Sequence, residues 1–159
     1  MDGEGGIRLK FSHPDEFFDN IHGDLPVITG DLLHHASGCY SAHSGIKRLN
    51  RKAENALLTA EKLSYIAVSQ GARDRSDELK EAWKKLLFNQ FHDILAGTCI
   101  LEAYTDAQQD IGYAISAAED VSNEALQYLA RKIEIPYIEN AYTFVVFNPH
   151  ARDIKWPVE

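Results

Sequence analysis

Ile46, Leu49, Ala53, Ala56, Ala60, Leu63 and Ala67 follow one another in steps of three and four. Such spacing places all seven on one face of a helix of 3.6 residues per turn and on neither face of a strand. Two further stretches carry the same signal. Leu79, Trp83, Leu86, Leu87, Gln90 and Ile94 form the second, and the third runs from Ile100 through Tyr104, Ala107, Ile111, Ala114, Ala118, Val121 and Ala125 to Tyr128. Three amphipathic helices joined by short links constrain the fold to an antiparallel bundle.

The spacing predicts helices over about Ser44 to Gln70, from Ser76 to about Gly97, and from about Ile100 to Lys132. Gly71 and Gly97 are the expected stops, and Pro136 forbids much extension of the last helix. Ser76 and Asp77 read as a cap with an acidic first turn. The third helix would be roughly 48 Å long at about 1.5 Å per residue. The second is little more than half that, so part of the third is expected to pack on something else.

The flanks read differently. Residues 1–41 are punctuated by Gly, Pro and Asp, with a short strand expected over Ile7 to Phe11, a short helix after Pro14, and a strand or loop over Leu25 to Ile28. Tyr142 to Phe147 has strand propensity, Asn148-Pro149 is a turn signal, and Ile154 to Val158 is expected to return as a second strand. The predicted fold class is therefore mainly α: an antiparallel three-helix bundle with a short α/β segment before it and a strand or hairpin after it. A lone hairpin is marginal in water. Both flanks are accordingly expected to belong to neighbouring domains of a longer polypeptide.

Composition narrows the function classes. Sixteen Lys and Arg against 24 Asp and Glu leave a net charge of −8. That disfavours general nucleic-acid binding, whose affinity comes mostly from neutralising phosphates. No apolar run reaches membrane-spanning length, so no membrane partner is expected. The N-terminus lacks a basic region followed by an apolar one, so no signal peptide is read there and a cytoplasmic location is expected. Cys39 and Cys99 have neither zinc-motif spacing nor a disulfide framework, and read as free thiols. No phosphate-binding loop, dinucleotide fingerprint or nucleophile elbow occurs.

The segment Asn89-Gln90-Phe91-His92-Asp93 carries the most chemistry. On a continuous second helix, His92 falls opposite the bundle stripe, beside Phe88 and Leu95. A helix apolar on two sides is held between two bodies. His92 is thus expected to face another domain or partner, as a packed or capping histidine or as a metal or catalytic group. One histidine cannot build a zinc site, which needs three or four ligands. His34, His35 and His43 are the other candidates for a self-contained site, without any ligand-pair spacing. Lys47, Arg48, Arg51 and Lys52 make a basic strip, read as a solvated face or a docking surface. The carboxylates Asp106, Asp110, Glu119 and Asp120 read as solvent-facing.

Three motifs then converge. Ser37-Gly-Cys-Tyr-Ser-Ala-His-Ser-Gly-Ile-Lys-Arg-Leu-Asn-Arg51 resembles the start of the helical middle domain of glycoside hydrolase family 38 α-mannosidases, in bacterial style. Trp83-Lys-Lys-Leu-Leu-Phe-Asn-Gln-Phe-His-Asp-Ile-Leu-Ala-Gly-Thr98 is similar to that family's second signature in the same domain. Phe144-Val-Val-Phe-Asn-Pro149 resembles the first strand of its C-terminal β region. The resemblance implies a zinc-dependent retaining exo-α-mannosidase, acting on terminal α-mannosyl residues. It implies that His92 is a zinc ligand and that Asp93 helps bind the mannose or hold the metal site. The remaining ligands, a His-x-Asp pair and a nucleophilic Asp, would come from a preceding catalytic domain.

His13-Pro14-Asp15 and His22-Gly23-Asp24 match the bare His-x-Asp pattern but lie just ahead of the helices, and read as turn residues. The implied division is 1–41 as the tail of the catalytic α/β domain, 42–135 as the middle domain, and 136–159 as a linker and the start of a β domain. The implied partners are those two domains and a mannoside, with a second copy of the chain as a further candidate. No catalytic residue is placed within the chain, which alone is expected to be inactive. The competing expectation is a non-catalytic helical interaction module.

Overall fold

The computed structural model describes residues 9–32 and 35–155. They fall into two units, divided between His35 and Ala36. The first holds a single short helix, α1 (Pro14–Asp19). Pro14 suits its first turn, since the missing N–H would have no partner there, and Asp15 and Glu16 favour the same end. No described residue before Ile46 is a buried hydrophobic. The strand expected over Ile7 to Phe11 falls partly outside the described residues. Leu9 to Phe11 and Leu25 to Ile28 are not strands.

The second unit carries a 3-10 helical turn at Ser37–Tyr40 and four helices: α2 (Ser44–Ser69), α3 (Ser76–Phe88), α4 (His92–Ala96) and α5 (Leu101–Ala130). Helices α2, α3 and α5 pack pairwise on one another. Their side-chain pairings fix the directions. Tyr128 and Lys132, at the end of α5, both donate to the Gln70 carbonyl at the end of α2. Arg75, at the start of α3, pairs with Glu124 late in α5 at 2.8 Å, whereas Lys85 pairs with Asp110 earlier in it. Hence α2 and α5 run together and α3 runs against both.

The core follows the spacing. Ile46, Ala53, Leu57 and Ala60 of α2 meet Leu79, Ala82 and Leu86 of α3 and the buried stripe from Tyr104 to Val121 of α5. Ala53, Ala60, Ala82, Ala107, Ala114 and Ala118 are all fully enclosed. Their methyl groups let the backbones approach closely, so a chain with few large side chains still fills its interior. A smaller cluster at the far end joins Leu63, Ala67 and Ala125, and Phe147 packs against it. That aromatic ring is part of what covers the far end of α5.

Two glycines end helices through the same geometry. Gly71 has φ +97°, Gly71 N–H donates to Val68 O and Ala72 N–H to Ala67 O. Gly97 has φ +86°, Gly97 N–H donates to Ile94 O and Thr98 N–H to Asp93 O. Both are Schellman caps, which satisfy the last carbonyls with a residue in the left-handed region.

Three expectations are corrected. The second helix is not continuous to Gly97: it stops at Phe88, and a separate short helix begins at His92. Ser76 is the first residue of α3 rather than its cap, and Asp74 accepts its N–H at 2.8 Å. No strand forms among the described residues, so Tyr142 to Phe147 has no regular secondary structure. Trp156 to Val158 lie outside them. No described helix is long and apolar enough to cross a membrane.

Candidate functional site

The corner between α3 and α4 is held by two side chains that hydrogen-bond inward to the bundle. Asn89, nearly fully buried, donates from Nδ2 to Lys85 O at 2.8 Å and to Asp110 Oδ2 at 3.3 Å. Gln90 donates from Nε2 to Asn50 Oδ1 at 3.1 Å and Glu54 Oε1 at 2.9 Å. Gln90 N–H and Phe91 N–H bond three residues back, to Leu87 O and Phe88 O, a tighter winding than the α-helix. Phe91 then takes φ −52° and ψ 138°, which turns the chain out of the helix. Asn89 and Gln90 face inward, and Phe91, His92 and Asp93 face outward.

His92 is the first residue of α4, with a side chain 78% exposed. Its ring centroid lies 4.1 Å from that of Phe91, tilted by 50°. Its Nε2 stands 3.7 Å from Asp93 Oδ1, close enough to pair when the imidazole is protonated. Both groups thus point away from the bundle and are free to meet another molecule. The outward direction has a different origin from the helical-wheel argument: it comes from the turn at Phe91, not from the back of a continuous helix.

The corner is held from beneath. Lys47 Nζ donates to Leu95 O at 2.8 Å and Ala42 O at 2.6 Å, joining the end of α4 to the start of α2. Tyr104 is buried against the same loop, and its hydroxyl accepts Cys99 N–H at 3.3 Å. Burial pushes the Tyr104 phenol above its ordinary range, and its hydrogen bonds with Cys99 adjust it further. His43 stacks on the Tyr104 ring at 3.9 Å.

Lys85 and Asp110 form the second charged pair at this end. The Lys85 ammonium holds the Asp110 carboxyl below the usual range, against a smaller opposing effect of burial, and Asn89 adds to the lowering. Asp110 is therefore not the free surface carboxylate expected from sequence. Nor are Glu119 and Arg51 isolated charges: Lys52 lies 3.3 Å from Glu119, and Arg51 lies 2.7 Å from Glu54.

Among the described residues, no three or more His, Cys, Asp or Glu side chains gather closely enough to hold a metal ion. His43 is engaged with Tyr104, and His34 lies outside the described residues. His13 precedes α1 with Nδ1 3.9 Å from Asp15, and Gly23 turns the chain between His22 and Asp24 with φ +112°. Cys39 and Cys99 are unpaired thiols. Sequence reasoning missed the inward partners Asn50 and Glu54. The available signal was a polar residue inside an apolar stripe: Ile46, Asn50, Ala53 and Leu57 step by four, three and four.

A family model, the alpha mannosidase middle domain, matches residues 34–129. The chain is 34% identical over 110 residues to alpha-mannosidase 2C1 of Mus musculus, covering 65% of this chain and 11% of that protein. Against the Homo sapiens protein of the same name it is 35% identical over 103 residues, or 61% of this chain and 10% of that one. Against alpha-mannosidase 2 of Drosophila melanogaster it is 24% identical over 165 residues, 95% of this chain and 14% of that one. The chain thus spans only about a tenth of the length of the first two relatives. No solved structure matches it.

Proposed function

The chain belongs to the alpha-mannosidase middle-domain family, and on that premise we propose that it serves as the helical middle domain of a zinc-dependent, retaining family 38 α-mannosidase. The observation that carries the reading is the family match over residues 34–129, which takes in α2, α3, α4 and nearly all of α5. The exposure of His92 and Asp93 supports it, since side chains that serve a site shared with another domain must point out of their own.

The donor set fits a contributed ligand and not a complete site. His92 offers an imidazole nitrogen, and Asp93 a carboxylate 3.7 Å from it. Zinc takes three or four such donors, so the others come from a catalytic domain of the same polypeptide. When bound, zinc supplies Lewis-acid polarisation and an anchor for sugar hydroxyls. Asp93 accepts a hydrogen bond from a mannose hydroxyl or steadies the His92 ring. Retaining hydrolysis also requires a nucleophilic carboxylate and an acid/base group about 5 to 5.5 Å apart. We assign both to the catalytic domain.

The test is His92→Ala in the polypeptide that joins this chain to its catalytic domain. The variant is expected to lose zinc by elemental analysis and to lose hydrolysis of an aryl α-mannoside, with its helical circular dichroism unchanged. Zinc retained at the wild-type ratio overturns the ligand role. A second reading, a non-catalytic interaction module, draws on the exposed side chains of Leu87, Phe88 and Phe91. Concentration-dependent self-association that Phe88→Asp abolishes, with no mannosidase activity in the longer polypeptide, favours it.

A further inference from the structure

The short helix that carries His92 has little of its own to hold it in place. It spans five residues and buries none of them. A helix of that length is far below what is stable alone in water. Its position must therefore come from side chains outside it.

Those side chains sit on one face of α2. Lys47, Asn50 and Glu54 are spaced by three and four, so they line up over two turns. Asn50 and Glu54 both accept hydrogen bonds from Gln90, just before α4, and Lys47 donates to the Leu95 carbonyl near its end. The helix is gripped on either side of His92. Each gripping group is itself fixed. Asn50 is buried, Arg51 stands beside the second Glu54 oxygen as an ion pair, and Lys47 also bonds Ala42 O. Gly97, pressed against Ala42, seals the exit from α4.

We infer that Lys47, Asn50 and Glu54 are positioning residues, a polar clamp that sets where His92 stands relative to whatever it ligates. The inference rests on the proposed ligand role of His92 for its functional meaning, but the clamp itself rests on the hydrogen bonds. A ligand held at the right place before the metal arrives binds it more tightly than one that must be ordered afterwards.

Two variants test it: Lys47→Met, which keeps the stem and removes the ammonium, and Gln90→Met, which removes the link to Asn50 and Glu54. In the 159-residue chain, amides of Leu95, Gly97 and Thr98 are expected to exchange with solvent about tenfold faster in both variants. Amides of Ala114 and Ala118 are expected to exchange at the wild-type rate, and Lys47→Arg to restore the pattern. In the zinc-loaded enzyme that contains this chain, both variants are expected to release zinc to a chelator about tenfold faster. Unchanged exchange at residues 95–98 in both variants overturns the clamp. So does a uniform acceleration throughout the bundle, which would mark ordinary packing. If the exchange pattern appears while His92→Ala keeps its zinc, the clamp stands and the ligand role of His92 falls.

Discussion

Gly97 holds φ +86° at the end of α4, and a methyl group there would stand 2.8 Å from the Ala42 carbonyl oxygen. Both the backbone conformation and the contact oppose any side chain. Gly97→Ala is expected to destabilise the chain by about 2 kcal/mol or more, read as a lower urea midpoint. Gly112, inside α5, has open space where its Cβ would be, and Gly112→Ala is expected to stabilise by about 0.5 to 1 kcal/mol. The two glycines thus separate a residue required by geometry from one that is merely tolerated. Asp110 gives a pH-dependent counterpart. Lys85 holds its carboxyl below the ordinary value. As pH falls, the unfolded chain takes up the proton first, at about pH 4. The contribution of Asp110 is therefore complete above about pH 5 and disappears as pH drops through the lowered folded value. Urea midpoints of the wild type and Asp110→Asn are expected to differ at neutral pH and to converge on acidification.

At the scale of elements, Asn89 decides where α3 ends. It occupies the next position of the α3 core face, three residues beyond Leu86, and is buried there like its predecessors. Its side-chain amide donates to the Lys85 carbonyl and the Asp110 carboxylate, two hydrogen bonds that a hydrophobic side chain would remove. Asn89→Ala is expected to cost about 1 to 3 kcal/mol, measured by urea unfolding. The three long helices were legible because their stripes are sustained over many turns, and Gly71 ends α2 as read, whereas Gly97 ends the short α4 and not the helix that begins at Ser76. The break after Phe88 was not legible, because Gln90 and Ile94 continue the helical period across it. Gln90 does face α2, as the period implies, but through hydrogen bonds at a turn. Periodicity registers which side a residue faces and is blind to whether the backbone between has turned. The expected strand over Tyr142 to Phe147 failed for another reason: propensity describes fitness for a sheet, and the described residues offer no strand to pair with. Of the site, the pattern alone marked His92 as an outward-facing candidate for packing or for metal or catalytic chemistry, and only the resemblance gave His92 and Asp93 specific roles. The direction in which they point depends on Phe91 leaving helical geometry.

At the scale of the whole molecule, His92 and Asp93 stand at the end of the bundle where α3 stops and α5 starts. Exposed Phe88, Ile100 and Leu101 occupy the same end. On the proposed reading, covering that apolar surface with the catalytic domain would also exclude water from around the metal donors, which strengthens their electrostatic interactions. The same arrangement makes a prediction about the chain by itself. Two donors, one an imidazole and one a carboxylate, fall short of the three or four that tight zinc binding requires. Added zinc is therefore expected to leave the thermal midpoint of the isolated chain where it was, and dialysis to leave no stoichiometric metal. The measurement is discriminating because ligand binding to the folded state stabilises it by mass action. A complete site would add about 2.7 kcal/mol at a zinc concentration a hundredfold above its dissociation constant, a rise of several degrees for a domain of this size. A rise of that size, removed by His92→Ala, would show that the chain holds its own metal. The division of ligands between two domains would then be wrong.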